Sequence, residues 1–248
     1  DCDPPKITEK YTQSDFVANV TIIKIYPNQK NKQSYRVDIK INELYKGDRL
    51  KSIYVYGRSD NGIGTSCDIY IPENTSLIAY ASKNKEEHYG IGMCSGLLYL
   101  NKTNQKRQKR ELDILKTFKS KNINFTDKIS YGEKAGLHEE LEQFIGIDLE
   151  RNYGICEITF ASDLRIKNVI EISGYQNPID KKLIEIIKKT EWTSFDNGVE
   201  DKVPDNSKLL IGIAKACAKP KINAHKPRTI LCCHNECFTS PQFYYSIF

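Results

Sequence analysis

The sequence predicts two domains: an all-β barrel of the OB type with a flanking helix, then an α+β unit in which helices pack an antiparallel sheet. Three observations carry that expectation. Residues 16–100 hold short apolar-alternating runs separated by Gly, Asn, Asp and Pro turns. Residues 109–120 repeat apolar side chains at helical spacing, and beyond residue 134 the pattern changes to helix, strand, strand, helix, strand. At 248 residues the chain can bury two cores. The boundaries drawn from these patterns are 1–122, 123–217 and a Cys-rich tail, 218–248, that continues neither pattern.

The elements follow in order. "YRVDIKI" (35–41) alternates, with Tyr35, Val37, Ile39 and Ile41 on one face and Arg36, Asp38 and Lys40 on the other. That is a strand with one buried side. "FVANVTIIKIY" (16–26), "KSIYVYG" (51–57) and "SLIAYAS" (76–82) are further strands, and Lys46-Gly47-Asp48 supplies a turn. In "KRELDILKTFKS" (109–120), Leu112, Leu115 and Phe118 make one helical stripe. The polar, aperiodic "NINFTDKISYGEK" (122–134) marks the domain boundary. After it come a helix over 135–147, a hairpin from 154–161 and 165–174, a strongly amphipathic helix over 178–192, and a closing strand over 208–214.

Composition narrows the class. Charged residues make up 28% and hydrophobic residues 39%, a soluble balance, and no apolar run approaches the roughly 18–20 residues a membrane helix needs. The chain opens on Asp1 rather than Met, so its natural start is expected upstream. Eight cysteines lean toward an oxidising compartment. Most of the net charge of +5 sits in "NKTNQKRQKR" (101–110), which has no acid and no interleaved aromatic. It reads as a solvated basic loop, with a phosphate grip as the alternative, so no nucleic-acid partner is expected.

Several motifs invite chemistry and decline it. "HEELE" (138–142) begins like a zinc-protease helix but has Glu142 where the second His would stand. "GIGTSC" (62–67) has two glycines of a dinucleotide loop and precedes no helix. The four histidines, His88, His138, His225 and His234, assemble no nucleophile–base set at any familiar spacing, so the chain is not expected to be an enzyme. "CCHNEC" (232–237) could offer zinc ligands through Cys233, His234 and Cys237, yet disulfides are favoured over free thiols and metal. No metal or cofactor is therefore expected. The pairing of Cys156, Cys217, Cys232, Cys233 and Cys237 stays open. At the other end, "DCDPP" places Cys2 beside Pro4-Pro5, whose fixed φ stiffens the chain, and a disulfide is the candidate anchor.

Two stretches resemble known families. "CDPP" with "YRVDIKINELYKG", "CDIYIPENTSLIAYAS" and "GIGMCSGLL" resembles the netrin-like N-terminal domain of tissue inhibitors of metalloproteinases. That family opens on Cys-x-Cys-x-Pro-Pro, and "DCDPP" matches from its second residue. The resemblance, over roughly residues 1–120, implies a Cys2–Cys94 disulfide. It also leaves Cys67 orphaned of a Cys immediately before Asp1, and makes Cys2, Asp3, Pro4 and Pro5 the candidate binding ridge. The second stretch, 132–214, resembles the C-terminal domain of TonB energy transducers, with Gly154, Asp180 and Trp192 at the family's structural positions. A full transducer's membrane helix and Pro-rich spacer are not in this sequence, so energy transduction is not implied.

Together these imply a non-enzymatic, secreted, periplasmic or outer-membrane-anchored protein of a Gram-negative bacterium, with two interaction modules and a protein partner. The alternative is a metalloproteinase inhibitor. A lipid anchor on a Cys upstream of Asp1 fits the first reading; a free, disulfide-held Cys there fits the second. The sequence as it stands is expected to inhibit weakly or not at all, because nothing pins the Asp1 amine and carbonyl at metal-binding geometry.

Overall fold

A computed structural model describes residues 5–30, 32–62, 64–103, 105–125, 128–144, 147, 149, 151, 153–194, 202–214, 232–233 and 236–237, and His138 and the last four by backbone alone. The chain divides into two compact units between Lys128 and Ile129. No described helix is long and apolar enough to cross a membrane.

The first unit opens with a helix the sequence did not predict, α1 (Ile7–Gln13). Then come β1 (Phe16–Ile25), β2 (Ser34–Lys46), β3 (Ser52–Tyr56), β4 (Ser76–Lys83), β5 (Tyr89–Ile91), a 3₁₀ turn at Met93–Ser95, β6 (Leu98–Tyr99) and α2 (Gln105–Ser120). The strand order is β1-β2-β3-β5-β4, and β4 pairs back onto β1, so five strands close into a barrel consistent with the OB type. The β3–β5 seam is parallel and the other pairings are antiparallel. Register shifts along β1·β2 at Val17/Ala18, Asn19/Val20 and Ile22/Lys24 supply the bending that closure needs.

The alternation in β2 lies as its side chains dictate, with Tyr35, Val37 and Ile39 buried and Arg36 and Lys40 exposed. With Phe16, Val20, Ile22, Ile53, Val55, Leu77 and Ile91 they fill the barrel. The turn after β2 requires glycine. Gly47 has φ +81°, and a Cβ there would lie 2.3 Å from the Asp15 carbonyl oxygen.

The basic run is corrected. It is not a loop leading into a helix at 109, because α2 begins at Gln105 and carries Lys106, Arg107, Lys109 and Arg110 in its own first turns. Lys, Arg and Gln are good helix formers, and once Ile114, Leu115 and Phe118 are buried the helix extends back through them.

The second unit holds β7 (Tyr131–Ala135), α3 (Leu137–Leu141) with a 3₁₀ turn at Glu142–Phe144, β8 (Tyr153–Phe160), β9 (Ile166–Ser173), α4 (Ile179–Lys189), β10 (Glu191–Ser194) and β11 (Lys208–Ala214). The expected pattern missed β7 and β10, which among the described residues pair with each other alone. Residues 129–214 therefore show, among the described residues, two antiparallel sheets, β11-β8-β9 and β10-β7, rather than one. β7 falls partly inside the stretch taken as a boundary, and the helix expected over 135–147 is the short α3 and its 3₁₀ turn. Within the tail, β12 (Cys232–Cys233) and β13 (Glu236–Cys237) form a small ladder with Cys232 opposite Cys237. The rest of residues 218–248 lies outside the described residues.

Candidate functional site

The N-terminal cleft of the barrel unit gathers Pro5, Cys67 and Cys94 of the residues singled out in its sequence. Its volume is about 470 Å³, and Pro5, Lys10, Cys67, Met93, Cys94 and Ser95 line it. Three segments build it. The chain entering α1 brings Pro5, the long β3–β4 connection brings Cys67, and the 3₁₀ turn after β5 brings Met93, Cys94 and Ser95. Ser95 closes that turn by accepting the Gly92 N–H on its hydroxyl at 2.9 Å while its own N–H donates to the Gly92 carbonyl at 3.1 Å. The next residue, Gly96, has φ +70°. A Cβ there would stand 3.0 Å from Pro5 Cγ and 2.8 Å from Lys10 Cδ, so a side chain would wedge the N-terminal segment away from the turn.

Cys94 is disulfide-bonded, whereas Cys67 and Cys156 are free. Cys2, the partner the family resemblance implies, lies outside the described residues, as do Asp3 and Pro4. The contact of Pro5 with the Cys94 turn brings the chain three residues beyond Cys2 to that turn. Cys67 sits exposed on a tight loop, where Asp68 accepts the Gly64 N–H at 2.9 Å and the Thr65 hydroxyl at 2.6 Å. These bonds, the Thr65 one foremost, hold the Asp68 carboxyl below its ordinary pKa. Met93, at 48% exposure, is an apolar side chain presented at the rim.

The thiols of Cys67 and Cys156 differ in access. Cys156 on β8 is buried, and desolvation, with Glu171 and Asp180 adding repulsion, pushes its thiol up to about 12. N-ethylmaleimide is expected to alkylate Cys67 in the native protein at neutral pH and to reach Cys156 only after unfolding, as peptide mapping by mass spectrometry would show. Equal labelling of both under native conditions would contradict the burial of β8.

Behind the cleft lies a polar cluster that the sequence did not reveal. Lys10, at 4% exposure, donates from Nζ to the Gly96 carbonyl at 2.9 Å and to Glu111 Oε1 at 2.5 Å. Tyr80 donates its hydroxyl to the same Oε1 at 2.6 Å, and the Lys10 ammonium lies 4.3 Å from the Tyr80 ring centroid. Burial lowers the Lys10 pKa despite the opposing pull of Glu111, and it raises that of Tyr80. A further lysine, Lys46, donates to the Tyr11 and Thr12 carbonyls at the end of α1 at 2.9 and 3.1 Å. Tyr11 in turn donates to the Ile123 carbonyl at 2.8 Å. The helix that carries the N-terminus is thus fastened to β2, β4 and α2 by polar contacts, alongside its buried Ile7 and Tyr11.

In the second unit, the three positions shared with the TonB-like pattern have structural surroundings. Gly154 gives Tyr175 room, since a Cβ would lie 2.7 Å from its ring, and Tyr175 donates its hydroxyl to the Ile213 carbonyl at 2.5 Å. Asp180 accepts the Tyr175 N–H at 2.8 Å and the Asn177 N–H at 3.2 Å, fixing the entry to α4. Trp192 stands on β10 in the core, edge-on to Phe160 at 6.1 Å.

His138 and Glu142 of the protease-like run lie at α3 and the turn after it. No group of three or more metal-ligating side chains occurs among the described residues. The side chains of "CCHNEC" lie outside them. No protein-family model and no curated protein matches the chain.

Proposed function

We propose that the chain is a non-enzymatic protein-binding protein, secreted or held in the envelope of a Gram-negative bacterium, that carries a netrin-like barrel and a TonB C-terminal-like unit as tandem interaction modules. The observation that carries this reading is the free edge of β9. In the order β11-β8-β9 it pairs with β8 alone among the described residues, and Ile170 on it is 45% exposed. An unpaired row of N–H and C=O groups beside an exposed apolar side chain is a template for an added strand.

The test is selection of peptides from a displayed random library on the full chain, followed by hydrogen exchange. Selected peptides are expected to slow exchange across 166–173 and to lose binding in Ile170→Lys. Selection of peptides that leave β9 unprotected would remove the support for this reading.

The N-terminal cleft favours a second reading, inhibition of a metalloproteinase. A disulfide-bonded Cys94, a free Cys67, Pro5 and an exposed Met93 surround one concavity. Assays against a panel of zinc proteinases, with the chain as given and with one Cys added before Asp1, separate the two. Nanomolar inhibition by either version promotes the inhibitor reading, and its absence in both leaves the barrel as a binding module.

A further inference from the structure

The charges of the two long helices obey different rules. On α4 they follow the helix macrodipole, with Asp180 in the first turn and Lys188 and Lys189 in the last. α2 has no acid in its first turn, and Lys106, Arg107, Lys109 and Arg110 crowd its positive end. Lysine and arginine are good helix formers, but their charge at that end opposes the macrodipole, so the dipole does not account for the placement.

Packing does not account for it either. The inner side of α2 is filled by Glu111, Ile114, Leu115 and Phe118, all fully buried, with Phe118 against the Tyr11 ring at 4.6 Å. At 100° per residue, Lys106, Lys109 and Lys116 lie on the opposite side, and all three are exposed. Arg107, Lys119 and the preceding Lys102 are exposed as well, and the half-buried Asp113 is the one acid on the outer side. Lys119 lies 3.5 Å from Glu43, while no ion pair holds Arg107, Lys109 or Lys116 among the described residues. The helix is sixteen residues long, and from Lys106 to Lys119 the charge extends about 20 Å along this rigid support.

We propose that the outer face of α2 docks the chain electrostatically onto an anionic phospholipid surface. Its apolar stripe is already buried in the unit, so the helix does not insert and the contact is made by charge alone. The chemistry of the face favours lipid headgroups over nucleic acid. No aromatic stands on its outer side to stack on a base, and the outward Lys106, Lys109 and Lys116 are point charges without the planar fork that reads phosphate and base edges. Polybasic surfaces of this size hold anionic leaflets through additive attractions that salt screens.

The experiment is co-sedimentation of the full chain with vesicles of phosphatidylcholine alone or mixed with phosphatidylglycerol. Binding is expected only to the mixed vesicles, and it should fall away at roughly 0.5 M salt. Neutralising the face in Lys106→Gln/Lys109→Gln/Lys116→Gln should weaken it by about fivefold per lysine, on the order of a hundredfold in all. The same loss of charge on α4, in Lys181→Gln/Lys182→Gln/Lys189→Gln, should leave it within about threefold, since those exposed lysines are not on the proposed face. Circular dichroism confirms that each variant is folded. No binding to the mixed vesicles at low salt, equal losses in the two variants, or tighter binding to duplex DNA or heparin would each overturn the proposal.

Discussion

Lys10→Met is expected to destabilise the barrel unit by about 3–5 kcal/mol, because it leaves the fully buried Glu111 carboxylate without its cation. Tyr80 would still donate to Oε1, but one neutral hydrogen bond does not offset a buried negative charge. Glu111 Oε2 has no hydrogen-bond partner among the described residues, so no second donor stands ready to take over. The double variant Lys10→Met/Glu111→Leu should recover much of the loss, since a buried ion pair replaced by apolar groups is often neutral or better. Urea unfolding followed by far-ultraviolet circular dichroism reads both. A single variant within about 0.5 kcal/mol of the parent would mean that the pair is solvated and does not fasten α1.

Trp192→Ala is expected to cost the second unit about 3–5 kcal/mol, the usual loss for a large aromatic removed from a core. Trp192 is 7% exposed and belongs to the core cluster of Phe160, Leu137, Ile187 and their neighbours. Trp192→Phe should cost much less. It keeps most of the apolar volume and deletes an indole N–H that is buried without an acceptor among the described residues. Trp192 is the sole tryptophan, so its fluorescence in the parent chain reports unfolding of this unit. The two variants are compared by circular dichroism. A near-neutral Trp192→Ala would contradict the packing of β10 against the core.

The parts of the fold legible in the sequence are those where burial is one-sided and sustained. β2 could be read from Tyr35, Val37 and Ile39 because a barrel strand buries alternate residues, and α4 because its isoleucines and Leu183 recur with the helical period. α1 escaped because "ITEKYTQ" is short and its buried members include Thr8 and Lys10, which composition assigns to the surface. β7 and β10 are five and four residues long, with mixed burial, too little for a period to register. The Lys10–Glu111–Tyr80 cluster joins residues up to 101 positions apart, and no local pattern announces such a pairing. The states of Cys67 and Cys94 were not legible in the residues, since spacing alone does not choose among eight cysteines, and the Cys2 expected to pair with Cys94 lies outside the described residues.

The closing of the barrel sets an order on its assembly. β1 forms a local hairpin ladder with β2, but its other edge waits for β4, some sixty positions later, at pairs such as Phe16 with Ala81. α1 waits longer, for Glu111 and the Ile123 carbonyl. A chain emerging from a ribosome or a translocation channel N-terminus first therefore shows an unpaired, apolar β1 edge until the strand that covers it has passed through. Chains stalled before residue 76 would hold that edge open and be prone to sticking to one another, while those stalled between 92 and 110 could close the ring through β5 yet leave the N-terminal helix undocked.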